Sequence, residues 1–246
     1  MNQDTRQVAI VTGASRGIGA AIAQRLAEDG YRIVVNYASN AAEAERVVAG
    51  LQAGGHGAVA IKADVSKADE VRALFDGAER AFGRVDVLVN NAGVLKTMPL
   101  AETSDELFEN TFCINVQGTF NTLREAARRL NDGGRIVNFS TTVLAMKLPG
   151  YAIYSASKAA VEAMSGVFAK ELRGRRIRVN TVAPGPVATE LFFSGKTQEQ
   201  IDNFAKMPPL ERLGEPEDIA RVVSFLVSEE SGWVNGQVLR ANGGTA

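Results

Sequence analysis

Cysteine and histidine are almost missing from this 246-residue chain, which has one of each, Cys113 and His56. A single cysteine cannot close an internal disulfide, and one thiol with one imidazole leaves too few soft ligands for a zinc centre. Cys113 is therefore expected as a small buried thiol, and His56 as a loop residue in the turn Gly54-Gly55-His56-Gly57. Excess charge is missing as well. Lys and Arg number 27 against 28 Asp and Glu, a net charge of −1. Such a balance offers no basic field to a polyanionic backbone, which argues against nucleic acid as a partner. No apolar run approaches the ~20 residues that cross a bilayer, and Val8–Val11 is too short for the apolar part of a secretory leader. The expectation is a cytoplasmic protein with no membrane partner. No Pro-, Gly- or Ser-rich linker, repeat or low-complexity tract divides the chain, so residues 1–246 read as one domain.

What is present is alternation. Short β-branched apolar runs at Val8–Val11, Arg32–Asn36, Ala58–Lys62, Val85–Asn90, Arg135–Phe139, Arg178–Val182 and Gln237–Arg240 read as about seven strands. Amphipathic stretches between them read as helices: Ile18–Asp29, Ala41–Leu51, Ala68–Phe82 opening at Ser66, Asp105–Leu130, Tyr151–Arg173 and Glu217–Val227. Parallel neighbours need crossover connections, so this order predicts an α/β fold, a doubly wound parallel sheet with helices on both faces. One long connection, Pro184–Pro209, carries a short helix around Gln198–Lys206, and its stretch 191–207 has the length and position of a substrate lid.

The first strand runs directly into Thr12-Gly13-Ala14-Ser15-Arg16-Gly17-Ile18-Gly19 and then into a helix. Glycine at these places lets backbone approach a pyrophosphate seated on the helix N-terminus. Tyr154 and Lys158 lie one helical turn apart and share a face, so an ammonium near the phenol is expected to lower its pKa towards working pH. Ser140 follows the fifth strand, at the carboxyl edge where open sheets gather ligands, and by chemistry alone Thr141 and Thr142 are alternatives to it. No histidine is placed to activate a serine, which argues against hydrolase chemistry.

With three residues between its first two glycines, this turn resembles that of the short-chain dehydrogenase/reductase family. Asn90-Asn91-Ala92-Gly93, Asn115, Ser140, Tyr154-Ser155-Ala156-Ser157-Lys158 and Pro184-Gly185 follow in that family's order. The resemblance implies a Rossmann-type fold, a nicotinamide cofactor and oxidoreduction between alcohols and carbonyls. It implies Tyr154 as general acid/base, Ser140 as the hydroxyl that holds the carbonyl oxygen, and Asn115 as holder of a water that connects Lys158 to solvent. Lys158 would also bridge the nicotinamide ribose. Asp64 would accept from the adenine amino group with Val65 as its backbone partner; capping a nearby helix is its competing role. Asn91, Ala92 and Gly93 would approach the adenine ribose and the middle of the cofactor, and Pro184, Gly185, Val187 and Thr189 would line the nicotinamide and diphosphate. Among family members the chain resembles carbonyl reductases, including 3-oxoacyl-acyl-carrier-protein reductases and aldehyde reductases with a lid like Phe192-Phe193-Ser194-Gly195-Lys196. A homotetramer or homodimer is implied too, with the long helices at one interface.

The second strand ends Asn36-Tyr37-Ala38-Ser39, with no acid to hold a free ribose hydroxyl and repel a 2′-phosphate. Asn36 and Ser39 are candidate donors to that phosphate and Arg16 its candidate guanidinium, so NADP(H) is expected over NAD(H). Leu144, Met146, Leu148, Tyr151, Val94, Leu95, Leu191, Phe192 and Phe193 predict an apolar pocket mouth, suited to an aldehyde, ketone or acyl chain. A carrier-protein substrate would need cations there; Arg128, Arg129, Arg173, Arg175 and Arg176 are the candidates, though arginines at helix ends also pair with the helix dipole. An oxidative sugar-alcohol dehydrogenase and a catalytically idle NADP(H)-binding sensor are the competing readings, the second disfavoured by the intact Ser140, Tyr154 and Lys158.

Overall fold

The computed structural model describes residues 6–246. In chain order they form β1 (Val8–Val11), α1 (Gly17–Glu28), β2 (Arg32–Tyr37), α2 (Ala41–Ala53), β3 (Ala58–Lys62), α3 (Ala68–Phe82), β4 (Val87–Asn90), α4 (Asp105–Phe112) and α5 (Gly118–Arg129). There follow β5 (Arg135–Phe139), α6 (Val143–Met146), α7 (Ala152–Glu171), β6 (Arg178–Pro184), α8 (Glu190–Phe193), α9 (Gln198–Lys206), α10 (Pro216–Val227) and β7 (Val238–Ala241).

Seven parallel strands make one sheet in the order β3-β2-β1-β4-β5-β6-β7. The order reverses between β1 and β4, and that switch point opens a crevice at the carboxyl edge. Strand alternation sorts the core. Ala9 and Val11 face one side with Ile33, Val35, Val87, Val89 and Val137, packed by α1, α2 and α10. Val8 and Ile10 face the other with Val34, Leu88 and Ile136, packed by α3 and α5. Both faces of a parallel sheet are thus sealed, which is why its strands read as unbroken apolar runs.

The helical stretch expected at Asp105–Leu130 is continuous from Asp105 to Arg129, with one wide five-residue turn at Cys113–Gln117 between α4 and α5. The buried Asn115 causes it, exchanging bonds in both directions with the Val94 backbone (2.9 and 3.0 Å) and donating to Ser157 Oγ at 3.0 Å. Those bonds anchor the wide turn, a form common at functional positions. Cys113 lies on the outer side of that turn and is exposed, not buried. Ser66 does not cap α3 either; its hydroxyl donates to Asp64 Oδ1 at 2.7 Å, and the cap position is Lys67.

Candidate active site

The first turn works through its glycines. Gly13 sits at φ +61°, and a Cβ on Gly19 would lie 2.3 Å from the Gly13 carbonyl oxygen and 2.5 Å from Asn91 Nδ2. A side chain at residue 19 would therefore separate α1 from the turn it must touch. Asn91 Nδ2 closes the crossing by donating to the carbonyls of Thr12 and Gly13 at 2.9 and 3.0 Å. Thr12 Oγ1 accepts from Ala92 N at 3.0 Å, fixing the segment after β4 to the segment after β1.

Around this crossing runs a groove of about 720 Å³. Its walls include Gly13, Ser15, Arg16, Gly17, Ile18, Gly19, Tyr37, Ala38, Ser39, Asp64, Val65, Asn91, Ala92, Gly93 and Thr189. All of these expected cofactor residues thus meet in one cleft. A cradle of close backbone, at a helix N-terminus with no acid in its first turn, fits a dinucleotide. Asp64 lies on the wall but its Oδ1 organises the turn, accepting from Ser66 N and Oγ. Asn121, on α5, holds the same turn from behind through the carbonyls of Val65 and Ser66 at 3.0 and 3.1 Å. Its place in an unremarkable helical stretch gave no signal of that.

Asn36 departs from expectation. It lines the groove, yet it is 1% exposed and its amide is engaged: Oδ1 accepts from Gly13 N at 3.3 Å, and Nδ2 donates to the carbonyls of Ile61 and Ala63 at 3.2 and 3.0 Å. Its donors serve the β2–β3 junction and not a phosphate, so it supports the glycine turn from beneath. Arg16 and Ser39 remain exposed on the rim. Arg16 Nη1 meets Glu190 Oε2 at 3.2 Å, an ion pair exposed on both sides.

A smaller cavity of about 160 Å³ adjoins the groove and shares Ile18, Asn91, Gly93, Val94, Thr189 and Leu191 with it. Ser140, Tyr154, Lys158, Pro184, Gly185 and Val187 line it. Its remaining walls include Leu95, Val143, Met146, Tyr151, Phe192 and Phe204. Leu144, Leu148 and Phe193, expected at the mouth, are not among them. Phe192 stacks edge-on against Phe204 at 5.4 Å between centroids, which ties α8 to α9.

Tyr154 and Lys158 share a face of α7, as their spacing requires, but the electrostatics differ from expectation. Burial pushes the phenol up to about 12, and the hydrogen bond that opposes this comes from the Thr141 side chain. Lys158 Nζ, 5.9 Å from the Tyr154 ring centroid, donates to the Phe139 carbonyl at 2.9 Å. Burial holds its ammonium down at about 8, against an ordinary 10.5. Desolvation outweighs the expected pull of the ammonium, so the phenol stays protonated and holds its proton more tightly than in water. Ser140 also departs from expectation: its hydroxyl donates to Glu162 Oε1 at 2.6 Å. Nothing in the sequence marked Glu162, one turn beyond Lys158. Asn115 stands near Lys158: a Cβ on Gly93 would lie 3.1 Å from Asn115 Oδ1 and 3.4 Å from Lys158 Nζ.

The helix-end arginines lie at the far edge of the sheet. Arg129 pairs with Asp76 and Glu79, and Arg175 with Asp132 and the carbonyls of Ala127 and Leu130. These helix ends feed the starts of β5 and β6, opposite the carboxyl edge that holds the cavity. They make no cationic collar at its entrance.

Comparison with known proteins agrees with this geometry. A family model described as enoyl-(acyl carrier protein) reductase matches residues 13–246. A short-chain type dehydrogenase/reductase of Picea abies is 50% identical over 97% of this chain and 92% of its own length. An NADPH-dependent aldehyde reductase-like protein, chloroplastic, of Arabidopsis thaliana is 47% identical over 97% and 93%. Among solved structures, a short-chain dehydrogenase of Burkholderia cenocepacia in complex with NADP superposes with a TM-score of 0.92, at 36% identity over 99% of both chains. A glycine-cradled groove, a Tyr–Lys pair at its end and these likenesses together place the chain in the short-chain dehydrogenase/reductase family.

Proposed function

We propose that the protein is an NADP(H)-dependent reductase of apolar aldehydes and ketones, with Tyr154 as the proton donor. The observation that carries this reading is the placement of the Tyr154 phenol and Lys158 on the wall of a small, mostly apolar cavity that adjoins the long groove. Bound in the groove, reduced nicotinamide supplies a hydride. As the carbonyl carbon takes that hydride, the C=O π pair becomes an alkoxide lone pair on oxygen, and the Tyr154 O–H bond breaks to protonate it. Lys158, on the cavity wall beside the phenol, would hold the nicotinamide ribose. The walls Val94, Val143, Met146, Phe192 and Phe204 exclude water and fit a hydrocarbon substituent. A polyol would leave several hydroxyls without partners there.

The preference for NADP(H) rests on Arg16 and Ser39 at the rim, with the Arabidopsis relative and the Burkholderia complex as support. Substrate closure by residues 191–207, a cytoplasmic location and a homotetramer or homodimer belong to the same proposal. Among the described residues no helix is long and apolar enough to cross a membrane. NADPH oxidation with hexanal, benzaldehyde and acetophenone, set against NADP⁺ reduction with sorbitol, tests the reading. Faster turnover of sorbitol would replace it with the oxidative one.

A further inference from the structure

The amino edge of the sheet, opposite the cavity, has an opening of its own. There the starts of β5 and β6 and the turn before β7 surround a hollow of about 800 Å³, whose walls include Arg135, Arg176, Arg178, Glu229 and Trp233. Arg135 and Arg178 are register partners on neighbouring strands, and both are buried, 7% and 9% exposed. Burial first, and then the charge of Arg135, holds the Arg178 guanidinium below its ordinary value. Two buried like charges need an anion beside them, and the protein supplies little. Glu229 meets Arg135 Nη2, but the carboxylate side chain is itself 88% exposed. Asp132, also on the wall, is taken by Arg175 Nε at 2.8 Å. Arg178 finds only neutral acceptors, Ser231 Oγ at 2.5 Å and Ser228 O at 2.8 Å, and Arg135 Nε is buried with no hydrogen-bond partner. Arg176 stands at φ +55°, a backbone form that glycine adopts freely and a long side chain rarely. Beside these cations Trp233, the chain's one tryptophan, is 100% exposed.

We infer that this hollow is a second ligand site, which takes a nucleoside polyphosphate with its ring on Trp233 and its phosphates against Arg176 and Arg178. A phosphate chain carries several charges and many acceptor oxygens, which suits guanidiniums that have donors to spare and too few carboxylates. A flat base covers an uncovered indole face, and stacking of this kind needs no particular base. The volume falls in the usual range for small-molecule sites. Arginines that only solvate a surface stand out in water, whereas Arg135 and Arg178 are sunk at the strand starts. The site is separate from the glycine-cradled groove. Along β5, about 16 Å of extended chain lies between Arg135 and Ser140, so a ligand here reaches neither Tyr154 nor the glycine turn.

Because Trp233 is the one tryptophan, its fluorescence reports on this hollow directly. The full chain is titrated with ATP, adenosine and tripolyphosphate, first alone and then with saturating NADP⁺. ATP should quench Trp233 saturably, with the same affinity whether or not NADP⁺ is present. Adenosine should bind at least about tenfold more weakly, and tripolyphosphate should displace ATP while quenching little by itself. Arg176→Gly relieves the backbone and removes the guanidinium, so the urea midpoint should hold or rise while ATP affinity falls by about tenfold to a hundredfold. Trp233→Leu, followed by equilibrium dialysis of labelled ATP, should weaken binding by about tenfold, the loss of one stacked base. Raising salt should weaken ATP binding in the parent more than in Arg176→Gly. No saturable quench at millimolar ATP overturns the inference, as does a quench that survives Arg176→Gly. Loss of the quench when NADP⁺ is added would place ATP in the groove instead, against the inference. A shielded indole emission that ATP leaves unchanged, in a chain that sediments as an oligomer, would show a second copy covering the hollow and would likewise overturn it.

Discussion

The groove and the cavity it runs into are built by opposite means. The groove is made of backbone: glycines let chain crossings close, and the side-chain amides of Asn36, Asn91 and Asn121 hold the crossings. The cavity is made of side chains from β5 and the turn after it, α7, α8 and α9, and its chemistry depends on single side-chain groups among them. A site defined by backbone tolerates little change in residue type but is robust in geometry. One defined by side chains is tuned by single atoms. Substitutions should therefore divide, with rate effects on the cavity side and stability or affinity effects on the groove side.

The largest effect is expected where the cavity's chemistry is concentrated. Tyr154→Phe removes the transferable proton but no groove wall atom, so kcat should fall by about a hundredfold to ten-thousandfold while NADPH binding persists. Tyr151→Phe should be mild, because Tyr151 contacts Tyr154 only edge-on, 6.5 Å between centroids. Steady-state kinetics beside a fluorescence titration of NADPH reads both. Equal activity in the two variants would erase the distinction between the two tyrosines.

Next in size is a pH effect at the boundary between the two regions. Lys158 is a base whose pKa is lowered by burial, so its charged form is present below about 8 and lost as pH rises through that value. If that charge holds the cofactor ribose, kcat/KM for NADPH should fall by about tenfold per pH unit above the midpoint, as for a single essential ionisation. A limb near 10.5, the ordinary value for lysine, would mean that burial does not govern this group.

How far the sequence could be read follows the same division. The seven strands, their order of appearance, the glycine turn and the Tyr154–Lys158 face were legible because each rests on a periodicity or on a residue with a special backbone. The exposure of Cys113 and the engaged side chains of Asn36 and Ser140 were not legible for one shared reason: they depend on partners distant in sequence. Asn115 drew Val94 and Ser157 around it and opened a wide turn that exposes Cys113. Ser140 found Glu162, 22 residues away. A side chain's hydrogen-bond partner across the fold leaves no trace in local spacing. Nor was it legible that desolvation would outweigh the ammonium at Tyr154, since that balance is set by how deeply both groups sink.

On the groove side, Asn36→Asp separates support from recognition. If Asn36 served a phosphate, the new carboxylate would chiefly shift preference from NADPH towards NADH. As the structure has it, the change removes two buried donors and sets a carboxylate against the carbonyls of Ile61 and Ala63. The expected outcome is destabilisation by about 3 kcal/mol or more, since uncompensated buried polar groups cost this order of energy. Cofactor discrimination should move little at temperatures where the variant is folded. Urea unfolding together with kcat/KM for both cofactors decides, and a stable variant with inverted preference would return Asn36 to the phosphate.

The smallest effect is expected at the rim, where the two regions touch through Arg16 and Glu190. Their ion pair spans from the glycine turn to the first residue of α8, with side-chain exposures of 65% and 77%. Exposed pairs of this kind are worth about 0–1 kcal/mol, so Arg16 is readily released to another anion. A 2′-phosphate carries more charge and more acceptor oxygens than a carboxylate and can take the guanidinium from it. Glu190 is then a weak internal competitor for the group that favours NADPH. Glu190→Gln should tighten NADPH by up to about fivefold, the most that a pair worth 1 kcal/mol can withhold, and leave NADH nearly unchanged. The difference should shrink as salt rises, because the contact is solvent-exposed. Arg16→Ala provides the control, weakening NADPH and removing any gain from Glu190→Gln in the double variant. Equal gains for NADH and NADPH would show that Glu190 acts through α8 itself and not through Arg16.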